Sequence, residues 1–414
     1  MSVTSYRKSL CALCGSADLT TVLRLAPTPP ANAFELPDKQ GATTTRFPLE
    51  LGFCGNCSHV QLLDVVDASY LFSDYVYVSG TSPAFVAHFD RLAEHLIDEL
   101  HLTDGDLVVD IGSNDGTLLS AFKKRGHGVL GIDPARDIAA GATAKGIETW
   151  PCFLSDEVAA RVLSSRGTAA LVTANNVFAH VDDMAGFAAN VRGMLAPDGV
   201  FVFEVSYLVD VFEKCLFDTI YHEHLSYHSV KPLRTFLASQ GMDLFRVERI
   251  DTHGGSIRCY AQLAAGSRET DPAVAELEKK EAELGLYSVK GFSEFGERID
   301  TLRDELRNLL TELKGQGCTI AGYGAPAKAT TLLYHFGLNE GFLEYVVDDS
   351  PLKQGLMLPG TTIPVMSSDE IYKRRPDYLV VLAWNFARNI IDQHPQYRAA
   401  GGRFIVPVPN LEIL

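Results

Sequence analysis

The stretch YHEHLSYHS, residues 221–229, places three histidines, two tyrosines and a glutamate in nine positions. A buried strand or helix does not choose this composition, because each imidazole, phenol and carboxyl must find a partner or stay wet. Imidazole is the side chain best suited to moving a proton near neutral pH. His224 is therefore read as a chemical residue, whereas His222 and His228 read as satisfied structural histidines.

A second set of residues has the spacing of a nucleotide-type loop. LVVDIGSNDGTLLSAF runs strand, loop, helix, with Gly112 and Gly116 bracketing Asn114 and with Asp110 in the strand before them. Glycines let a backbone approach a ligand closely, but an acidic residue ahead of them suits a cationic amino-acid group better than a diphosphate. That favours S-adenosylmethionine, whose ammonium a strand-end carboxylate can hold. Asn114 in the middle position tolerates left-handed geometry better than most residues. The next strand ends at Asp133, placed to accept two ribose hydroxyls. Phe153 offers an adenine contact, and Asn175, Asn176 and His180 follow the fourth strand.

These residues need a scaffold, and the chain spells one out. From residue 69 to 265 a helical run near SPAFVAHFDRLAEHLIDEL is followed by the strands LVVDIG, GVLGID, AALVTANN and VFVFEVS, separated by helices. That alternation predicts a parallel sheet under crossover connections. HGGSIR, with candidate substrate contacts Ser256 and Arg258, falls at the hairpin expected to close the sheet. Residues 266–414 begin with a charged helical linker, clearest in FGERIDTLRDELRNLLTELKG, and continue as a second Rossmann-like pattern. There Gly322, Gly324 and Ala327 have dinucleotide-loop spacing, with Asp348 or Asp349 at the end of the next strand. Tyr323 and Lys328 are candidate substrate contacts in this turn, Lys328 as a point charge for a phosphate.

Residues 1–68 form a small, core-poor module with a proline-rich loop, LAPTPPANAF, and two C-x-x-C pairs: Cys11 with Cys14, and Cys54 with Cys57. Four thiolates in two close pairs make a closed tetrahedral site suited to zinc. With no open coordination position, that zinc is expected to hold the fold rather than perform chemistry. The fold class is thus α/β in three parts: zinc-binding module, S-adenosylmethionine-binding Rossmann-like domain and Rossmann-like C-terminal domain.

At 414 residues the chain is too long for one core, and a formal charge of -16 argues against nucleic acid or an anionic membrane as partner. No run of eighteen apolar residues occurs, and the first ten residues show no signal-peptide pattern. The expectation is a cytoplasmic protein that could work as a monomer.

Taken together, YHEHLSYHS, SDYVYVSGTS, HGGSIR and GYGAPAKATTLL behind a four-cysteine module resemble the deoxysugar C-methyltransferases, and the likeness extends over essentially the whole chain. The resemblance implies methyl transfer from S-adenosylmethionine to C-3 of a 4-keto-6-deoxy sugar on a nucleoside diphosphate, usually dTDP. It implies His224 as the base, with Tyr221 and Glu223 beside it and His180 nearby. From the DYVYVS loop it implies a tyrosine, Tyr75, with Tyr77 on the same face of an extended strand. The C-terminal domain would help hold the substrate's nucleotide. The chemistry agrees: a ketone acidifies the neighbouring C–H, an imidazole removes the proton, and a phenol or second imidazole supports the enolate oxygen. Glu223 could fix the tautomer of the base. Other readings stand beside this one: a nicotinamide-dependent sugar-nucleotide oxidoreductase, a methyltransferase acting on oxygen or nitrogen, and a non-catalytic sugar-nucleotide sensor.

Overall fold

The computed structural model describes residues 5–39, 44–72, 78, 80 and 83–414. Its central sheet has seven strands, in the spatial order Met242–Ile250, Ser256–Leu263, Leu195–Ser206, Ala169–Asn175, Leu107–Ile111, Gly128–Ile132 and Thr149–Trp150. Ser256–Leu263 runs antiparallel to both its neighbours, and the other pairings are parallel. Strands Leu107–Ile111 and Ala169–Asn175 are covered on both faces, which is why they read as unbroken apolar runs. The chain starts in the middle of this sheet and builds first to one edge, then to the other. The direction of winding reverses between those two strands, so a crevice opens beyond their carboxyl ends. The loops carrying Gly112 to Gly116 and Asn175 to His180 flank it.

Helix Pro83–Leu100 packs on this sheet through Phe89, Leu92, Ala93, Leu96 and Leu100, the one-face spacing expected from its sequence. The charged linker forms two helices, Pro272–Glu283 and Val289–Gly315. The longer buries Phe292, Phe295, Ile299, Leu302, Leu306, Leu310 and Leu313, a stripe advancing by three or four residues. The C-terminal sheet has six strands: Val365–Met366, Val346–Val347, Ile320–Tyr323, Tyr378–Val381, Arg403–Val406 and Glu412–Ile413. The last of these is antiparallel to its neighbour.

The cysteine-bearing module does not stand apart from the rest of the chain. Leu25, Leu49, Leu51 and Phe53 are buried in the same apolar cluster as the linker and the C-terminal domain. Phe53 packs on Phe292, with ring centroids 5.7 Å apart, and the backbone N–H of Ala26 donates to His335 Nδ1 at 3.2 Å. A short module without enough apolar residues for its own interior is completed by its neighbours. Its sheet also takes in a strand from the chemical stretch: Ser226–Tyr227 pairs with Val60–Leu62, followed in order by Phe47–Cys54 and Leu19–Thr28. Among the described residues no helix is long and apolar enough to cross a membrane.

Candidate active site

His224 lies half-buried beyond the carboxyl ends of the central strands, and its two ring nitrogens have different partners. Nδ1 is 2.7 Å from the Thr219 carbonyl oxygen, which only accepts, so Nδ1 carries the proton. Nε2 is then the lone-pair nitrogen, and the Tyr221 hydroxyl donates to it at 3.0 Å. Burial pushes the His224 imidazole down to about 4; the Thr219 carbonyl opposes this and nearby His253 adds to it. The ring is therefore neutral and basic at Nε2 across the neutral range. His180 stands beside it, ring centroids 5.1 Å apart, and stacks on Phe72 at 5.4 Å.

Glu223 takes a different place from the one expected. Instead of fixing the tautomer of His224, it points toward the zinc module and accepts from Asn32 Nδ2 at 2.8 Å. Burial raises its carboxyl to about 7, the Asn32 amide opposing. With His180 it lines a cavity of about 260 Å³ beneath helix Ala68–Phe72. A backbone carbonyl does the job assigned to the carboxylate, and no residue type announces a carbonyl. His222 and His228 are both buried, but they differ in how far they are satisfied: His222 Nε2 meets the Pro48 carbonyl at 3.1 Å, whereas His228 stacks on Phe178 and, among the described residues, neither of its ring nitrogens is within hydrogen-bond distance and angle of a partner. Tyr75 and Tyr77 lie outside the described residues.

The cofactor loop is shaped by left-handed backbone at Gly112, Asn114 and Gly116, with φ of 70°, 51° and 77°. A side chain at Gly112 would collide with Val177, its Cβ 2.2 Å from Val177 Cγ2, so the two loops flanking the crevice can meet only over a glycine. Asp110 is buried and accepts from the Thr173 hydroxyl at 2.7 Å; burial raises its carboxyl to about 7 despite that bond. Asp133 uses both oxygens on the loops themselves. It accepts from the Asn114 N–H at 2.8 Å and the Ala135 N–H at 2.9 Å, so any ribose hydroxyls must share a carboxylate already engaged.

Among the described residues, Asn175 ends its strand with both amide atoms buried and without a hydrogen-bond partner, and Ser113 Oγ is in the same state. Such atoms are costly unless a ligand meets them. Donors and acceptors waiting in a glycine-lined crevice fit S-adenosylmethionine. Asn176 follows with φ of 56°, and Phe153 is 49% exposed.

The cysteines gather as expected. Cys11 Sγ is 3.6 Å from Cys57 Sγ and Cys14 Sγ is 3.6 Å from Cys54 Sγ, with all four sulfurs within 4.8 Å of one another. Four thiolates tetrahedral about zinc stand about 3.8 Å apart, so the cage fits the ion.

The remaining candidates are engaged within the protein. Ser256 is buried and donates to the Thr252 carbonyl at 3.0 Å. Arg258 is buried and donates from Nε to Glu204 at 2.8 Å, and from a terminal nitrogen to Glu248 at 3.0 Å. Tyr323 is buried at its strand end, with its hydroxyl 3.1 Å from Asp349 and 3.0 Å from His394 Nε2. Lys328 reaches the junction between the two Rossmann-like units. Its Nζ donates to Asn385 at 2.7 Å and lies 3.3 Å over the Trp384 ring. Burial lowers the ammonium to about 8, with Asp218 acting in the opposite sense.

Sequence reasoning missed Thr219, Asn32, Asp218 and Trp384. None belongs to a motif. His253, the first residue of HGGSIR, was given no role; it has a left-handed φ of 54° and its ring packs against Phe85 of helix Pro83–Leu100, 5.2 Å between centroids.

Comparison with known proteins agrees with this architecture. Residues 11–72 match a family described as "Putative zinc binding domain", 85–247 one described as "Methyltransferase domain", and 251–409 one described as "C-methyltransferase C-terminal domain". Among solved structures, the CurJ carbon methyltransferase is similar at 15% identity, over 45% of this chain and 57% of that one, with a TM-score of 0.35. Magnesium protoporphyrin IX methyltransferase from Synechocystis is similar at 15% identity, over 42% and 78%, with a TM-score of 0.32. The C-methyltransferase NovU of Streptomyces niveus is 38% identical over 404 residues, 98% of this chain and 96% of that one. A likeness of that extent, running through the cysteine cage, the cofactor crevice and the C-terminal unit alike, means that the chain belongs to the S-adenosylmethionine-dependent C-methyltransferases.

Proposed function

We propose that the protein methylates C-3 of a 4-keto-6-deoxy sugar carried on a nucleoside diphosphate, with dTDP the nucleotide first to be tried. The observation that carries this reading is the His224 and Tyr221 pair. The carbonyl of Thr219 holds the proton on Nδ1, so that Nε2 faces outward as a base, with a phenol 3.0 Å away. A base and a hydroxyl donor this close can address one α-keto carbon together. His224 Nε2 removes the C-3 proton while the Tyr221 hydroxyl turns from Nε2 to the C-4 oxygen, where enolate charge develops. His180, stacked on Phe72, forms the adjoining wall and can share that donation. Membership in a carbon-methylating family answers the oxidoreductase and the oxygen- or nitrogen-methyltransferase alternatives.

Asn175, Ser113 and the loop clamped by Asp133 would hold S-adenosylmethionine, which supplies the electrophilic methyl group. The protein's own part is alignment and exclusion of water. Lys328, at the unit junction, would meet a phosphate of the sugar nucleotide by exchanging its bond to Asn385 for one to the phosphate. If base and methyl donor face opposite sides of the sugar, C-3 inverts.

The test is to incubate the protein with methyl-labelled S-adenosylmethionine and a panel of 4-keto sugar nucleotides, then locate the label by NMR. The expected product carries the methyl on C-3. Without the methyl donor, C-3 should exchange its hydrogen for deuterium from solvent, and His224→Ala should lose both reactions while binding S-adenosylmethionine near normally. A methyl on a heteroatom, or exchange persisting in His224→Ala, overturns the reading.

A further inference from the structure

The Thr219 carbonyl that sets the tautomer of His224 belongs to a segment whose other residues are held by the C-terminal domain. Phe217 stacks on Phe336, centroids 4.7 Å apart and rings 24° from parallel. Asp218 is fully buried and accepts from Trp384 Nε1 at 2.6 Å. The Ile220 carbonyl accepts from the Thr331 hydroxyl at 2.7 Å, and Thr331 is itself fully buried. Three residues out of the four in Phe217 to Ile220 are thus fastened to one neighbouring domain, and the fourth to the base.

The Asp218 contact is more than ordinary packing. A carboxylate with no solvent exposure is costly to bury. Its Oδ2 receives the indole N–H, the side-chain hydrogen bond it accepts among the described residues, while the Lys328 ammonium and the backbone N–H groups of Asp218 and Thr219 also favour its charge. Trp384 is in turn covered by Lys328, and Lys328 lies in the first turn of the helix Ala327–Phe336 that also carries Thr331 and Phe336. One helix and one indole hold the backbone on both sides of Thr219.

We propose that Asp218, Trp384 and Thr331 are positioning residues for His224: the C-terminal domain, besides whatever it binds, keeps the Thr219 carbonyl aimed at Nδ1 and so keeps Nε2 free to act as the base. This rests on His224 being that base. Loss of an anchor lets the carbonyl turn, and the neutral imidazole then divides between two tautomers, of which the one protonated at Nε2 cannot take a proton there.

The test reads the tautomer and turnover separately. Full-length, zinc-loaded protein is labelled with [15N]histidine, the His224 signals are identified by their loss in His224→Ala, and long-range proton–nitrogen spectra report which nitrogen is protonated. In the parent protein Nδ1 carries the proton. Trp384→Phe keeps the aromatic face under Lys328 but removes the N–H, and the His224 signals should move toward a mixture of tautomers. The kcat should fall by up to about tenfold, the reach of a single net hydrogen bond, with KM for S-adenosylmethionine unchanged. Thr331→Val removes the second anchor at nearly constant volume and should shift the signals in the same direction, so the test stands even if Trp384→Phe folds poorly. Asp218→Asn keeps an oxygen that can accept from Trp384 and should retain the parent pattern. Parent-like His224 signals in both anchor variants overturn the proposal. Methyl transfer that survives in His224→Ala would sink the base assignment instead, whatever the spectra show.

Discussion

Asp133 and Asp348 do the same work in the two Rossmann-like units. Each stands just after the second strand of its sheet and accepts two backbone N–H groups, one from the loop after the first strand and one from its own turn. For Asp133 the donors are Asn114 at 2.8 Å and Ala135 at 2.9 Å; for Asp348 they are Ala325 at 2.7 Å and Ser350 at 2.8 Å. A carboxylate can serve two donors in this way, whereas the amide of asparagine offers one accepting oxygen. The two domains thus share a clamp that fixes the loop whether or not the loop meets a ligand.

The clamp predicts a separation of phenotypes. Asp133→Asn loosens the Gly112 to Gly116 loop and should weaken S-adenosylmethionine binding by roughly tenfold, the worth of one charge-assisted hydrogen bond. Asp348→Asn should leave that affinity unaltered and raise KM for the sugar nucleotide. Titration calorimetry with the cofactor checks the first half, and steady-state kinetics the second. Equal loss of cofactor binding in both variants would show that the clamps are not local.

The acid limb of turnover should lie well below the usual histidine range. His224 must be neutral to act, and burial holds it at about 4. The kcat should therefore be insensitive to this group from neutrality down to mildly acid pH and fall only as the pH approaches about 4. A limb centred near the ordinary 6.5 would mean that the base is wet in the working enzyme.

Stability against acid has opposed contributions. His224 at about 4 and His228 at about 3 are depressed from 6.5, so the unfolded chain binds more protons and their contribution is lost as the pH falls below 6.5. Glu223 is raised to about 7, so the native state takes up its proton first and gains stability as the pH falls from 7 toward the ordinary carboxyl range. Removing the compensating group should expose the loss. Glu223→Gln is expected to lose more Tm than the parent between pH 7 and pH 5, measured by scanning calorimetry, and parallel Tm profiles would contradict the raised carboxyl.

The sequence made the scaffold legible because the parallel central strands of the two sheets, such as Leu107–Ile111, Ala169–Asn175, Ile320–Tyr323 and Tyr378–Val381, are apolar runs set between helical stretches, and burial on both faces enforces that pattern. Left-handed backbone at Asn114 and the gathering of four cysteines were equally open to reading, since each follows from the chemistry of the residue itself. What stayed hidden depends on the meeting of distant segments. Glu223 looked like a tautomer-setting group because it neighbours His224 in the chain, yet adjacent residues of a turn point apart, and Asn32, 191 positions away, claims the carboxylate. The partners of Arg258, Glu204 and Glu248, were hidden because they lie on neighbouring strands. Thr219 acts through its backbone, and Trp384 through a fold contact 166 residues from Asp218.

Zinc should matter to turnover although a closed four-cysteine cage leaves it no coordination position for chemistry of its own. Strand Val60–Leu62, just after Cys57, pairs with Ser226–Tyr227, and the Leu62 N–H donates to the Leu225 carbonyl at 2.9 Å, next to the base. Gln61 fixes the first cysteine pair from the same strand, accepting from the Ala12 N–H at 2.7 Å and donating to the Leu10 carbonyl at 3.1 Å. The cage is thus wired to the catalytic stretch through one short ladder, and Asn32 of the same module adds the bond to Glu223. Structural zinc contributes its binding energy to folding, so an emptied cage frees the module. Chelation, or Cys14→Ser, should then abolish methyl transfer and raise hydrogen exchange across residues 221–229, while calorimetry shows S-adenosylmethionine still bound, because the crevice between Leu107–Ile111 and Ala169–Asn175 belongs to a different sheet. Retained turnover in verified zinc-free protein would show that the ladder holds without the metal. Loss of cofactor binding along with activity would mean instead that the module supports the whole molecule rather than the base alone.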